Sequence, residues 1–276
     1  MGNNYSVNHS LSFYVCVDKN EAQMLLDNSE RQDFYLEECH DDKANSLSRK
    51  NLTYRANSLG LRDASYATSY LDGMKDQLPI RLLNDLNKVT IIQLMPTADG
   101  GMPHTRPNNI ICYPDISQLF SKTTLIHELW HIHQRNFKDM WFKTFKRLGW
   151  TMWDGKLPES LEKSRRYNPD TIDAPFWIFN EEWVPIPIFK DISRPNVADV
   201  EIWFYNVQKQ YHIKRVPEEI SSYFPGLPPT AYEHPREITA YMLSEPDKYR
   251  SSQGFKHLIE SIGEISVMMN KNEKQY

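Results

Sequence analysis

Apolar and β-branched residues fill 89–95 apart from Gln93, which predicts a buried strand, and Pro96 with Asp99-Gly100-Gly101 ends it. A shorter run at 109–113, closed by Pro114, predicts a second strand, and 11–17 reads as a third. Helical spacing marks 64–74 and 80–87, the latter through Leu82, Leu83 and Leu86 after Pro79. From about Ser121 to Asn136, Leu125, Leu129 and Ile132 recur at helical intervals, and Ile126 with Trp130 widens the buried stripe. A further helix is expected over 139–148, with Trp141, Phe145 and Leu148 on one side and Gly149 as its stop.

The chain changes character after residue 169. Ten of the seventeen prolines fall between 169 and 235, interleaved with short strand-like runs at 176–179, 184–189 and 200–207. Pro185 and Pro187 predict that the middle run lies at a sheet edge, because proline donates nothing to a ladder. Helical spacing returns at Pro235, and Phe255, Leu258, Ile259, Ile262 and Ile265 predict a closing amphipathic helix before a polar tail at 270–276. Residues 40–51 are polar and charged, which predicts a loop or linker. The expected organisation is an N-terminal segment, 1–51, followed by one α+β domain, 52–276, with an upper lobe at 52–150 and a Pro-rich lower lobe at 151–276. No internal repeat is visible.

Composition narrows the partners. The 276 residues are 40% hydrophobic and 12% aromatic, enough for a sizeable core. The net charge is −4 with both signs interspersed, so no basic stripe points to nucleic acid. Cys16, Cys39 and Cys112 are odd in number and widely spaced, which disfavours a disulfide framework and favours a reducing, cytoplasmic setting. No run approaches the roughly 20 apolar residues a membrane helix needs, and 11–17 is a poor export signal. Met1-Gly2-Asn3-Asn4-Tyr5-Ser6 fits the N-myristoylation pattern, with Gly2 as acceptor. One acyl chain without a polybasic patch gives weak, reversible association with the cytoplasmic face of a membrane.

The chemistry concentrates in His127-Glu128-Leu129-Trp130-His131. Helical residues four apart share a face, so His127 and His131 can hold one zinc ion, and Glu128 beside them can act as general base. His133 lies about 200° around the axis from His131 and cannot share that metal. Catalytic zinc takes three protein ligands and leaves one position for water, so a third ligand is required. The motif resembles that of the gluzincin metallopeptidases, in which the third ligand is a glutamate on a later helix; the resemblance makes Glu159, Glu162, Glu181, Glu182, Glu233 and Glu237 the candidates, and Glu237 is favoured. It follows Pro235, suited to the first turn of a helix, and precedes small Ala240, which permits close packing against the motif helix.

The order helix, strand, strand, motif helix over residues 79–136, together with Glu237-Ile238-Thr239-Ala240, resembles the zincin metallopeptidases of the gluzincin branch. The metzincin pattern is excluded, because Gln134 and Phe137 stand where it needs glycine and histidine. The resemblance implies a zincin-like α+β fold, with the motif helix under a small mixed sheet, and one zinc held by His127, His131 and Glu237. It implies peptide-bond hydrolysis through a zinc-activated water with Glu128 as base. It further implies that an extended peptide pairs with an edge strand, here Ile110, Ile111 and Cys112, and that Tyr232 and His234 supply oxyanion stabilisation. The alternatives are an inactive zinc-binding, lipid-anchored adaptor and a non-peptidase metalloenzyme. A pocket without an exposed edge strand would favour the latter.

Overall fold

In the computed structural model, residues 11–272 are described, so Gly2 lies outside the described residues. The chain opens with β1 (Ser12–Val15), α1 (Lys19–Asp33), α2 (Tyr35–Asp41) and α3 (Lys43–Arg49). Next come α4 (Leu61–Met74), α5 (Ile80–Asp85), β2 (Lys88–Gln93), β3 (His104–Arg106) and β4 (Ile110–Tyr113). The motif helix α6 (Lys122–Asn136) is followed by α7 (Lys138–Arg147), β5 (Trp150–Met152) and α8 (Glu159–Glu162). Then follow β6 (Trp177–Phe179), β7 (Trp183–Phe189), β8 (Val200–Asn206), β9 (Tyr211–Ile213) and α9 (Glu218–Tyr223). A 3-10 turn at Pro229–Glu233 leads into α10 (Pro235–Ser244), α11 (Pro246–Tyr249) and α12 (Gln253–Asn272). Among these helices none is long and apolar enough to cross a membrane.

The architecture is α+β with two sheets. The first is mixed, in the order β1-β2-β4-β3, with β1 and β4 parallel to β2 and β3 antiparallel to β4. The second is antiparallel, in the order β5-β6-β7-β8-β9. One hydrophobic core joins both halves, running from Val89, Ile91 and Ile111 through Leu125, Leu129 and Trp141 to Trp177, Phe204 and Leu258. The expected upper and lower lobes are therefore two sides of one core.

Three expectations need correction. Residues 11–51 are not a detached segment. β1 pairs with β2 in register from Ser12↔Lys88, and the buried Arg106 of β3 is clamped by Asp33 and Glu30 of α1 at 2.7 Å each. The polar stretch 40–51 is largely helical because short surface helices bury few positions, here Cys39, Ala44, Asn45 and Ser48. Asp42 caps α3 through the Asn45 N–H.

Second, β4 is an interior strand, with β2 on one side and β3 on the other. Ile110, Ile111 and Cys112 are thus fully paired and cannot accept a peptide. Third, β7 is also interior, yet its prolines break nothing. Val207 N–H donates to the Glu182 carbonyl and Lys190 N–H to the Asp199 carbonyl, which fixes the even-numbered residues of β7 as those bonded to β8. Pro185 and Pro187 therefore turn their nitrogens to the opposite side, where β6 pairs with β7 only at Trp183.

The site rests on the packing of α6 against α10. Ser121 caps α6 through the Thr124 N–H, and nine α6 residues are buried, among them Leu125, Leu129 and Ile132. Pro235 occupies the first turn of α10, and Ala240 is fully buried, so the two helices approach closely.

Candidate metal centre

From α6, the His127 and His131 Nε2 atoms face each other at 2.9 Å. From α10, Glu237 brings one carboxylate oxygen to 3.3 Å of His127 Nε2 and the other to 3.4 Å of His131 Nε2. One ligand atom from each residue lies within 4.8 Å of the other two, the one such three-residue group among the described residues. Ligand bonds of about 2.0–2.1 Å at tetrahedral angles hold ligand atoms roughly 3.3–3.4 Å apart. Each carboxylate–imidazole separation is close to that edge, through a different Glu237 oxygen in each case, while the 2.9 Å imidazole pair is shorter than it. By donor type, two imidazoles and a carboxylate suit a single divalent cation, and the remaining candidate acids do not join the cluster. Glu233 pairs with Arg166, Glu182 accepts from Asn206, Glu162 accepts from Arg165, and Glu159 and Glu181 are exposed.

His131 is oriented from behind. Gln134, one turn beyond His131, sets its Oε1 2.9 Å from His131 Nδ1, so the ring donates there and leaves its Nε2 lone pair for a metal. The Gln134 amide in turn donates to the Arg236 carbonyl and to Thr239 Oγ1, both at 3.0 Å, tying α6 to α10. Asn168 donates to Glu237 Oε1 at 3.3 Å. Gln134, noted in the sequence only for excluding metzincins, thus positions a ligand.

Electrostatics agree with the geometry. Burial alone would lower the His131 pKa, but the carboxylates of Glu237, Asp170 and Glu128 together outweigh it and lift the ring to about 10. Burial would raise Glu237, and His131 with His127 instead holds it well below the usual carboxylate range. A proton or a metal ion is strongly favoured at this cluster, and the two compete for the same nitrogen. Burial, then the nearby Asp170 carboxylate, holds the Glu128 carboxyl well above its ordinary range, with His131 acting oppositely. Glu128 Oε2 is buried and has no hydrogen-bond partner.

A cavity of about 360 Å³ opens beside the cluster, lined among others by His127, Glu128, Glu237, Asn168, Thr230 and Tyr241. The residues expected to stabilise an oxyanion are elsewhere. The Tyr232 hydroxyl donates to the Phe224 carbonyl at 2.6 Å. His234 caps α10 through the Arg236 N–H and donates from Nε2 to the Ala174 carbonyl. Both are occupied structurally. Tyr241, one turn past Glu237, stands edge-on to the His127 ring at 4.6 Å and lines the cavity. Burial, then the Glu237 charge, pushes its hydroxyl up to about 12, so it is a donor at neutral pH. Its spacing of four from Glu237 was the available signal.

The outer edge of the first sheet is capped. Thr105, at the middle of β3, donates its N–H to Asp170 Oδ1 at 2.9 Å, and its carbonyl accepts from Arg135 at 3.1 Å. Comparison with protein-family profiles, with curated proteins and with solved structures finds no match for this chain.

Proposed function

We propose that this chain is a zinc-dependent peptidase of zincin-like design, with His127, His131 and Glu237 as metal ligands. The observation that carries the reading is the convergence of two imidazole nitrogens and a carboxylate from α6 and α10, beside a buried, unpartnered Glu128 oxygen. A zinc ion there would supply Lewis acidity toward a water and a carbonyl. Glu128, held well above its ordinary pKa, is suited to take the proton from the attacking water and pass it to the leaving amine. Tyr241 offers its O–H to the oxygen that gains charge. Gln134 and Asn168 fix the ligands' orientation. Myristoylation of Gly2, with weak membrane attachment, belongs to the same proposal.

One observation favours a second reading. With the β3 edge capped at Thr105, an extended substrate has no strand to join there, as in a metalloenzyme acting on small molecules. The test separates the readings. Glu128→Gln is expected to keep zinc and lose nearly all cleavage of a peptide library, whereas His131→Ala loses both. A glutamine variant that digests peptides at the parent rate would show the assigned base to be wrong, and a zinc-loaded parent that cuts nothing in the library favours the second reading.

A further inference from the structure

The capped β3 edge raises the question of where an extended chain could lie, and a second free edge meets the same cavity. β7 pairs with β8 along its whole length, from Val200 to Asn206. On its other side β8 is paired only at Phe204, Tyr205 and Asn206, with β9, and the turn at Pro229–Glu233 packs nearby. After Ile213 the chain leaves β8, so a slot of about 330 Å³ separates Val200, Glu201 and Ile202 from Lys214 and Val216.

The hydrogen-bond alternation fixes which main-chain groups face this slot. Gln210 N–H donates to the Asn206 carbonyl, which turns the Asn206 groups toward β9. Asp199 turns its carbonyl to Lys190, on the β7 side. Groups alternate along a strand, so Phe204, Ile202 and Val200 direct N–H and C=O to the β9 side. At Phe204 that side meets Ile213, whereas at Ile202 and Val200 no strand lies opposite. The slot adjoins the cavity beside the candidate metal centre, because Val200 and Thr230 line both.

We propose that an extended peptide substrate runs from the metal cleft past Thr230 and adds as a strand to β8, bonding the free main-chain groups of Val200 and Ile202. This inference rests on the peptidase reading and replaces the edge expected at Ile110–Cys112. Recognition is by backbone, so it accepts varied side chains, and the partner is any unfolded or loop segment able to extend.

A photo-crosslinking residue placed at Val216, and at exposed Lys146 of α7 as control, tests it in the zinc-loaded Glu128→Gln chain. The probe is a biotinylated random octapeptide pool. The expected result is labelling through position 216 well above position 146, reduced about tenfold by Ile202→Pro, which removes a slot-facing N–H together with a buried side chain. A backbone N-methylated pool should give the same loss without altering the protein, which keeps the test decisive should the proline variant not fold. Labelling at position 216 no greater than at 146, or unaffected by N-methylation, overturns the proposal. A parallel digest by the parent chain separates the two readings. Cleavage without labelling at 216 overturns the strand addition and leaves the peptidase reading. Labelling without cleavage overturns the peptidase reading and upholds the strand addition, and neither signal overturns both.

Discussion

At the residue scale, the site was legible wherever chemistry and spacing coincide. His127, Glu128 and His131 could be read from their intervals, and Glu237 from the proline before it and the alanine after it, across a gap of more than a hundred residues. Tyr232 and His234 misled because a polar ring near a ligand looks functional in sequence, while in three dimensions each satisfies a buried carbonyl. That demand is set by the Phe224 and Ala174 backbone, which a linear reading cannot see. On the proposed peptidase mechanism, Tyr241 is the candidate donor to developing charge. Tyr241→Phe is expected to lower kcat by about 10²–10³ with zinc content unchanged, since only the O–H is removed. Steady-state kinetics on a cleaved peptide check this, and a variant within about twofold of the parent removes Tyr241 from the mechanism.

At the element scale, long periodic helices and β-branched runs were predicted to within a few residues, as for α6 and β2. Short polar elements were missed. β3 is only His-Thr-Arg, follows a Gly-Gly-Met-Pro stretch, and earns its place by burial against α1 and β4 rather than by propensity. Missing it turned β4 into an apparent edge. The proline rule failed at β7 for a different reason: it concerns which side of a strand is paired, and sequence does not reveal side. The α6–α10 contact was foreseen from Ala240. Ala240→Leu is expected to cost about 1–3 kcal/mol by overpacking and to weaken zinc binding as the helices part. Urea unfolding with parallel metal titration measures both, and a stable variant with parent affinity would show that the close approach is not required.

At the scale of the whole molecule, buried histidines couple folding to pH. His104, His133 and His234 are each held below the ordinary histidine value chiefly by burial, His234 to about 3, with the Arg236 charge adding to it. The unfolded chain takes up these protons near pH 6.5, the native chain only at lower pH. Their contribution is complete above about pH 6.5 and is lost as pH falls toward the native values. His131, raised to about 10, acts in the opposite sense. Between about pH 7.5 and 5 the urea midpoint is therefore expected to fall more in the parent than in His234→Asn, which retains a cap but does not titrate. The same pH dependence in both chains contradicts this. The same scale explains why the first 51 residues looked separable. Their tie to the body is the buried Arg106 clamp and a parallel strand pairing, both long-range and neither marked by local pattern.

Two helices, α6 and α10, bring His127, His131 and Glu237 together as a set that could hold one cation, and the proposed function depends on that cation being bound. Elemental analysis of the purified chain tests it most directly, comparing the parent with Glu237→Gln and His131→Ala. About one zinc per parent chain, retained through dialysis and lost in both variants, is the predicted result. A parent chain without stoichiometric metal, or a Glu237→Gln variant that binds zinc as tightly as the parent, contradicts it.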